Sequence, residues 1–437
     1  MSLTENDLKR FYNEMRGDQV ITDPESDTRY IPRMQDEDPI QRLHTHIDWT
    51  QSNSVALLTG FRGNGKSTEL HRLKGLLEQD GHYVVYLDMD AYVNKTQPLE
   101  ITDLLLSILA ALAHTLREQE GLNRLSQTYW ERLVDFLQSE IKLNGFKLKT
   151  GLGEGAALEL GASLRQEPTF KELVQEKLRA HVKDLFRQAD DFVTQIAGEI
   201  QNRPERKDCK VVLLVDSLEH LRGGPGAEEV RKMQDSVLEV FSTHADKLRF
   251  SLTHVVYTVP PILALRANTA AQACGGDVAM WPNIHVRRRN GEPDPQGIAL
   301  MRKIVAQRFP NWTGAITPDA LDQLAWASGG DFREFFYLIR AVLVRLNVKT
   351  TAIEPADSAV ARTVATQHGY NLDMTVTREL RQRMNIVERD KALKANDKDD
   401  HGPLMELLDG NLVMNYQNGE PWFDVHPLLA NTPTPGA

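Results

Sequence analysis

Eight residues, Gly60-Phe61-Arg62-Gly63-Asn64-Gly65-Lys66-Ser67, constrain this chain more than any other stretch. The glycines let the backbone curl until its N–H groups face inward. The apolar run Val55-Ala56-Leu57-Leu58 just before them reads as a buried strand, and the pattern after them predicts a helix from about Lys66 to Gln79. Strand, glycine loop and helix in that order place the loop at a helix N-terminus, whose partial positive charge attracts anions. A triphosphate suits this arrangement. Backbone N–H groups would meet its oxygens, Lys66 would bridge the β- and γ-phosphates, and the Ser67 hydroxyl would hold Mg²⁺.

The spacing is that of a P-loop, G-x-x-x-x-G-K-[ST]. The predicted cofactors are therefore ATP and Mg²⁺. The predicted contacts are Gly60, Arg62, Gly63, Asn64, Gly65, Lys66, Ser67 and Thr68. Tyr83-Val84-Val85-Tyr86-Leu87 reads as the next strand, and strand–helix–strand implies a parallel sheet with right-handed crossovers. Val211-Val212-Leu213-Leu214-Val215 is a third buried strand and His254-Val255-Val256-Tyr257 a fourth; Asn283-Ile284-His285-Val286 reads as a fifth. Between them, 99–140 reads as two helices and 169–201 as a long helical stretch. In 143–165, Phe146 and Leu148 alternate with Lys147 and Lys149, and Leu158 and Leu160 flank Glu159, which reads as an inserted β-hairpin.

Asp216 follows the third strand directly, at the carboxyl end where open α/β sheets bind ligands. It is expected on the metal beside Ser67, against the alternative of a turn residue. Three residues on, Glu219 either orients or deprotonates an attacking water or is a solvated carboxylate at a helix start. Thr258 ends the fourth strand and either senses the γ-phosphate or simply ends that strand.

Helical stripes follow from about 295: Ile298, Met301, Ile304, Val305 and Phe309, then Leu321, Leu324 and Ala325, then Phe335, Leu338, Ile339 and Val342. Near the end, a helix at Leu404–Leu408 precedes two strand-like runs joined through Asn418-Gly419, a hairpin signal. The expected fold is α/β: a P-loop parallel sheet with a helical insertion, a helical lid and a C-terminal winged helix. The expected division is an N-terminal arm at 1–50, an ATPase domain at 51–290 with its insertion at about 99–201, a lid at 291–370, and a winged-helix-like domain at 371–437.

The 437 residues carry a formal net charge of −10, which argues against general affinity for nucleic acid or membrane. Residues 371–437 hold seven basic and eleven acidic side chains, the wrong sign for neutralising phosphate, so DNA binding there is possible but not favoured. Cys209 and Cys274 make no disulfide framework, the N-terminus has no apolar signal core, and the apolar stretch near Leu104–Leu116 is too short to span a bilayer. A cytoplasmic protein without a membrane span is expected.

Asp216-Ser217-Leu218-Glu219 resembles the metal-site motif of the STAND class, signalling ATPases related to AAA+ proteins, although AAA+ enzymes have two adjacent acids where Ser217 stands here. Gly329-Gly330-Asp331-Phe332-Arg333 looks like the lid motif of origin-recognition-type AAA+ proteins, which implies that Arg333 reaches the γ-phosphate. Phe423-Asp424-Val425-His426-Pro427-Leu428-Leu429 is similar to the winged-helix histidine motif of STAND switches. That likeness implies a nucleotide contact for His426, with Pro427 replacing the usual acid. Tyr30-Ile31-Pro32-Arg33 stands where relatives place an adenine-contacting linker, which implicates Tyr30 and Pro32.

The resemblance also implies ATP-driven homo-oligomers, with an arginine supplied in trans; Arg266 and the run Arg287-Arg288-Arg289 are the candidates. It further implies a slow, switch-like ATPase acting with a separate effector or sensor protein, and for bacterial members a role in antiphage defence. The alternative is an AAA+ DNA-transaction factor, a loader or transposition-type regulator. A small-molecule kinase is a third reading, and the lid and winged helix speak against it.

Overall fold

The computed structural model describes residues 3–33, 38–120, 125–139, 156–224, 226–275, 278–346, 354–394 and 401–430. In chain order the elements are α1 (Glu5–Glu14), α2 (Pro39–Trp49), β1 (Ser54–Gly60), α3 (Lys66–Gln79), β2 (Tyr83–Asp88), α4 (Ile101–Glu120), α5 (Leu125–Ser139), α6 (Ala156–Gln166), α7 (Pro168–Leu178), α8 (Val182–Gln201), β3 (Val211–Asp216), α9 (Ala227–Ser242), β4 (Thr253–Val259), α10 (Ala267–Cys274) and β5 (Val278–Trp281). They continue with α11 (Pro295–Arg308), α12 (Pro318–Ala327), α13 (Phe332–Leu343), α14 (Ser358–Asp373), α15 (Arg378–Asp390), α16 (His401–Asp409), β6 (Val413–Gln417) and β7 (Pro421–Val425). The chain forms two compact units, one of residues 39–59 and 73–280, the other of residues 1–38, 60–72 and 281–437.

The first of these units is built on the sheet, whose strand order is β2-β3-β4-β1-β5. The pairs β1–β4, β2–β3 and β3–β4 are parallel. β3 and β4 are buried along their whole length, as expected of strands covered on both faces. α8 turns Leu185, Ala189, Phe192, Val193, Ile196 and Ile200 inward at helical spacing, and α4 is apolar almost all round because it is enclosed on several sides. No helix among the described residues is long and apolar enough to cross a membrane.

The second unit has its core among α11–α14 and α1. Side-chain caps start each lid helix: Asp294 before Pro295, Thr317 before Pro318, and Asp331 before Phe332. β6 and β7 pair antiparallel, Val413 with Val425 through Gln417 with Pro421, and Gly419 takes φ +96° in the turn between them. With α16 before it, this is the helix-then-hairpin pattern of a winged helix.

Three expectations need correction. The second half of the expected hairpin is the helix α6, with Leu160 and Leu164 buried four apart on one face and Gly161 so close to the Tyr92 ring that a Cβ there would lie 2.3 Å from it. Residues 140–155, the rest of that hairpin, lie outside the described residues. The fifth strand is Val278–Trp281, not 283–286. Pro282 lacks an N–H and ends it, and the Asn283 and Ile284 amides donate instead to the carbonyls of Asn415 (2.8 Å) and Gly330 (3.3 Å). The N-terminal arm contains α1, started by a Thr4–Asp7 capping box, which buries Leu8 and Phe11 and stacks Phe11 on Phe309 at 4.5 Å.

Candidate functional site

β1 ends at Gly60, and the chain turns through Gly60, Gly63 and Gly65 at φ +154°, +95° and +91° before α3 starts at Lys66. Lys66 is 3% exposed, and its ammonium donates to the carbonyls of Gly60 (3.0 Å) and Phe61 (2.8 Å) within the loop. Ser67 and Thr68 occupy the first turn of α3, where N–H groups have no intrahelical acceptor. The Thr68 hydroxyl accepts from the Ile21 amide at 3.2 Å. Arg62 and Ser67 are half-buried.

The loop is held from outside at Asn64, which is fully buried. Its amide donates to the Trp281 carbonyl (2.8 Å), and its carbonyl accepts from the Trp281 indole (3.0 Å) and from Arg33. The Arg33 guanidinium lies over the rings of Trp281 (4.6 Å) and Phe332 (4.8 Å) and also donates to Pro282 (2.7 Å); burial lowers its pKa to about 10. Of the two predicted adenine contacts, Tyr30 donates to Glu69 at 3.2 Å and Pro32 is exposed. Neither Arg33 nor Trp281 was identified as a loop contact from the sequence.

The start of α13 sits against the same loop. A Cβ at Gly63 would lie 2.8 Å from the Arg333 Cβ and 3.3 Å from both Asp331 carboxylate oxygens. Arg333 is exposed beyond that stem. Asp331 is 1% exposed; Oδ1 accepts from the Glu334 amide (2.9 Å), and Oδ2 is buried with no hydrogen-bond partner among the described residues. Burial, then the Glu334 charge, raises its pKa to about 6.

His426 is fully buried and engages the lid. Its Nδ1 accepts from the Leu428 amide (3.2 Å), which leaves the proton on Nε2, 2.8 Å from the Glu334 carboxylate. His368 of α14 meets the same carboxylate at 2.7 Å. Burial alone would raise the pKa of Glu334, but the two histidines outweigh it and hold the group at about 2. The Tyr416 hydroxyl donates to the Gly329 carbonyl (2.9 Å), so the C-terminal hairpin grips the lid motif at two points. Arg287 is also fully buried, 3.5 Å from Asp424 and over the Trp326 ring at 5.8 Å. It is committed within its own chain, which removes it from the candidates for an arginine acting in trans; Arg288 and Arg289 are exposed.

In the sheet unit, Asp216 ends β3 with no exposure. Asp88 pairs with Asp216, and Val215 pairs with Tyr257, so Asp88, Asp216 and Thr258 occupy neighbouring positions at the carboxyl edge of β2, β3 and β4. The Thr258 hydroxyl is buried and has no hydrogen-bond partner among the described residues. Ser217 then takes the left-handed region at φ +73°, costly for a residue with a Cβ, and starts the short 3₁₀ turn Leu218–His220. That turn buries Glu219 to 8% exposure. His220 Nδ1 meets Asp90 at 2.8 Å, and its Nε2 lies 3.9 Å from Glu219.

The Tyr86 hydroxyl donates to Asp216 Oδ2. In the sequence Tyr86 is one residue of a strand-forming run, and the signal that marks it is a phenol among aliphatics two residues before the strand's end. Arg266 closes the short turn Pro261–Arg266, and its side chain lies outside the described residues.

In the unit with the glycine loop, amides at a helix start, a buried lysine and a hydroxyl in the first turn are groups of the kind that bind a polyphosphate; in the sheet unit, a buried strand-end carboxylate is of the kind that binds a metal. No family model matches the chain, and no curated protein does. Among solved structures, the chain is similar to the ORC2 protein of Aeropyrum pernix in its ADPNP–ADP complexes, at 12% identity over 94% of this chain and 96% of that one, with a TM-score of 0.40. The ADP form of the same protein aligns at 12% identity over 96% and 94%, with a TM-score of 0.39. At those values the assignment rests on the site's own chemistry.

Proposed function

We propose that this chain is an ATP-dependent switch whose lid and C-terminal hairpin respond to nucleotide held at residues 60–68. The observation that supports it is the start of α13 against the glycine loop, with the stem of Arg333 and the Asp331 carboxylate at Gly63. In this reading Mg²⁺–ATP supplies a polyanion with a transferable terminal phosphoryl group. Lys66 exchanges the loop carbonyls for phosphate oxygens, and Ser67 and Asp216 serve as metal ligands. Arg333 contacts the terminal phosphate from the lid, and Thr258 hydrogen-bonds to it. Glu219, buried beside His220, orients or deprotonates a water, which makes the chain a slow ATPase.

His426 reaches the nucleotide state through Glu334, one residue from Arg333, so a shift of α13 is passed to the hairpin by a buried histidine–carboxylate contact. ATP-driven self-association, with Arg288 or Arg289 completing a neighbour's site, is the output we favour.

Amide hydrogen exchange tests the coupling. With ATP and Mg²⁺ in place of ADP, wild type should gain protection in α13 and in β6–β7. Arg333→Ala should still bind nucleotide but lose that gain. Equal exchange with ATP and ADP in wild type would overturn the switch. ATP-dependent, salt-sensitive affinity for DNA in an anisotropy assay would move the output to a DNA transaction.

A further inference from the structure

We infer that Tyr86 is a positioning residue for the metal-side carboxylate: its hydroxyl fixes the orientation of Asp216 and thereby sets the affinity of the nucleotide complex for Mg²⁺. This rests on the assignment of Asp216 as a metal ligand. Asp216 ends a strand whose other residues are aliphatic, and it is fully buried. A carboxylate can adopt more than one rotamer, and a metal ligand needs one. Tyr86 pairs with Leu214, two residues before Asp216, so the two side chains share a face of the sheet. The diagonal neighbour on an adjacent strand is about 7–8 Å away, a span that a phenol covers and shorter side chains do not. The hydroxyl arrives as a donor to Oδ2.

Two observations make the contact more than a satisfied core phenol. β2 is otherwise Val84, Val85 and Leu87 at its buried positions, so a phenylalanine would serve packing equally well. The loops beyond both strands are also tied together. The Arg222 and Gly223 amides donate to the Lys95 carbonyl at 3.0 and 3.1 Å, and Asp90 holds both Lys95 and His220 at 2.8 Å. β2 therefore presents Tyr86 to β3 from a fixed platform. Partners that orient a ligand in this way typically contribute tenfold or more to metal affinity.

The test is a titration of MgCl₂ into protein with a fluorescent ATP analogue at fixed concentration, preceded by a nucleotide titration in EDTA. Tyr86→Phe should raise the Mg²⁺ concentration for half-maximal response about 10-fold and leave nucleotide affinity in EDTA unchanged. Asp216→Asn should abolish the Mg²⁺ response. A merely structural hydroxyl would lower the melting temperature of Tyr86→Phe and leave the Mg²⁺ curve on that of wild type, which overturns the inference and spares the proposed function. Should Tyr86→Phe fail to fold, Tyr86→Met, which fills the site without a donor, should show the same raised Mg²⁺ requirement; a wild-type curve from it overturns the inference. A wild type whose nucleotide binding ignores Mg²⁺, or an Asp216→Asn with a normal curve, overturns the metal assignment and this inference with it.

Discussion

Asp331 does two jobs that oppose one another. As the N-cap of α13 it is better placed than most residues. As a buried carboxylate against Gly63, with Oδ2 unpartnered, it pays a desolvation cost whenever it is charged. Its pKa is raised from 3.8 to about 6, so over that window the folded chain holds a proton that the unfolded chain has released. Stability from this group is therefore present at low pH and is lost as pH rises through about 6. Asparagine caps as well and carries no charge. Asp331→Asn should stabilise the chain by about 1–3 kcal/mol at pH 8, and the gain should shrink as pH falls towards 4, measured by urea denaturation of both proteins across that range. A gain independent of pH would show that the carboxylate is not under this strain. At this scale the sequence made the local features legible: the glycine spacing, the lysine, the hydroxyl and the acid after a buried strand. It did not disclose Arg33, Trp281 or Tyr86, because their partners lie far along the chain; Arg33 and Pro282 are 249 positions apart. Such pairings come from tertiary packing, which no short window of sequence encodes.

Elements were legible where pattern and packing agree. The helix expected from about Lys66 to Gln79 is α3 with those bounds, and the strands expected at Val55, Tyr83, Val211 and His254 all form. Pattern failed where two periods fit the same letters. Leu158-Glu159-Leu160 alternates as a strand would, yet α6 is a helix because Leu160 and Leu164 share one helical face. It failed again at the N-terminus, where an acidic, polar stretch concealed the few apolar residues that dock α1. That docking is testable. Phe11 is fully buried and stacked on Phe309, so Phe11→Ala should cost about 3–5 kcal/mol in urea denaturation. A flexible arm would give a change near zero.

At the scale of the molecule, charge and connectivity limit what the proposed switch could drive. A net charge of −10, with an acidic excess in residues 371–437, favours protein partners over phosphate backbones. The hairpin's contacts at Glu334 and Gly329 mean that a displaced lid motif carries the C-terminal domain with it. All of this depends on a triphosphate entering the glycine loop. Isothermal calorimetry of ATP with Mg²⁺ against wild type and Lys66→Ala tests that most directly. Saturable heat from wild type and an affinity weakened about 100-fold in the variant are predicted, the loss expected when a charged hydrogen-bond donor is removed from phosphate. No binding of ATP or GTP by wild type, or equal affinity in the two proteins, would contradict the account.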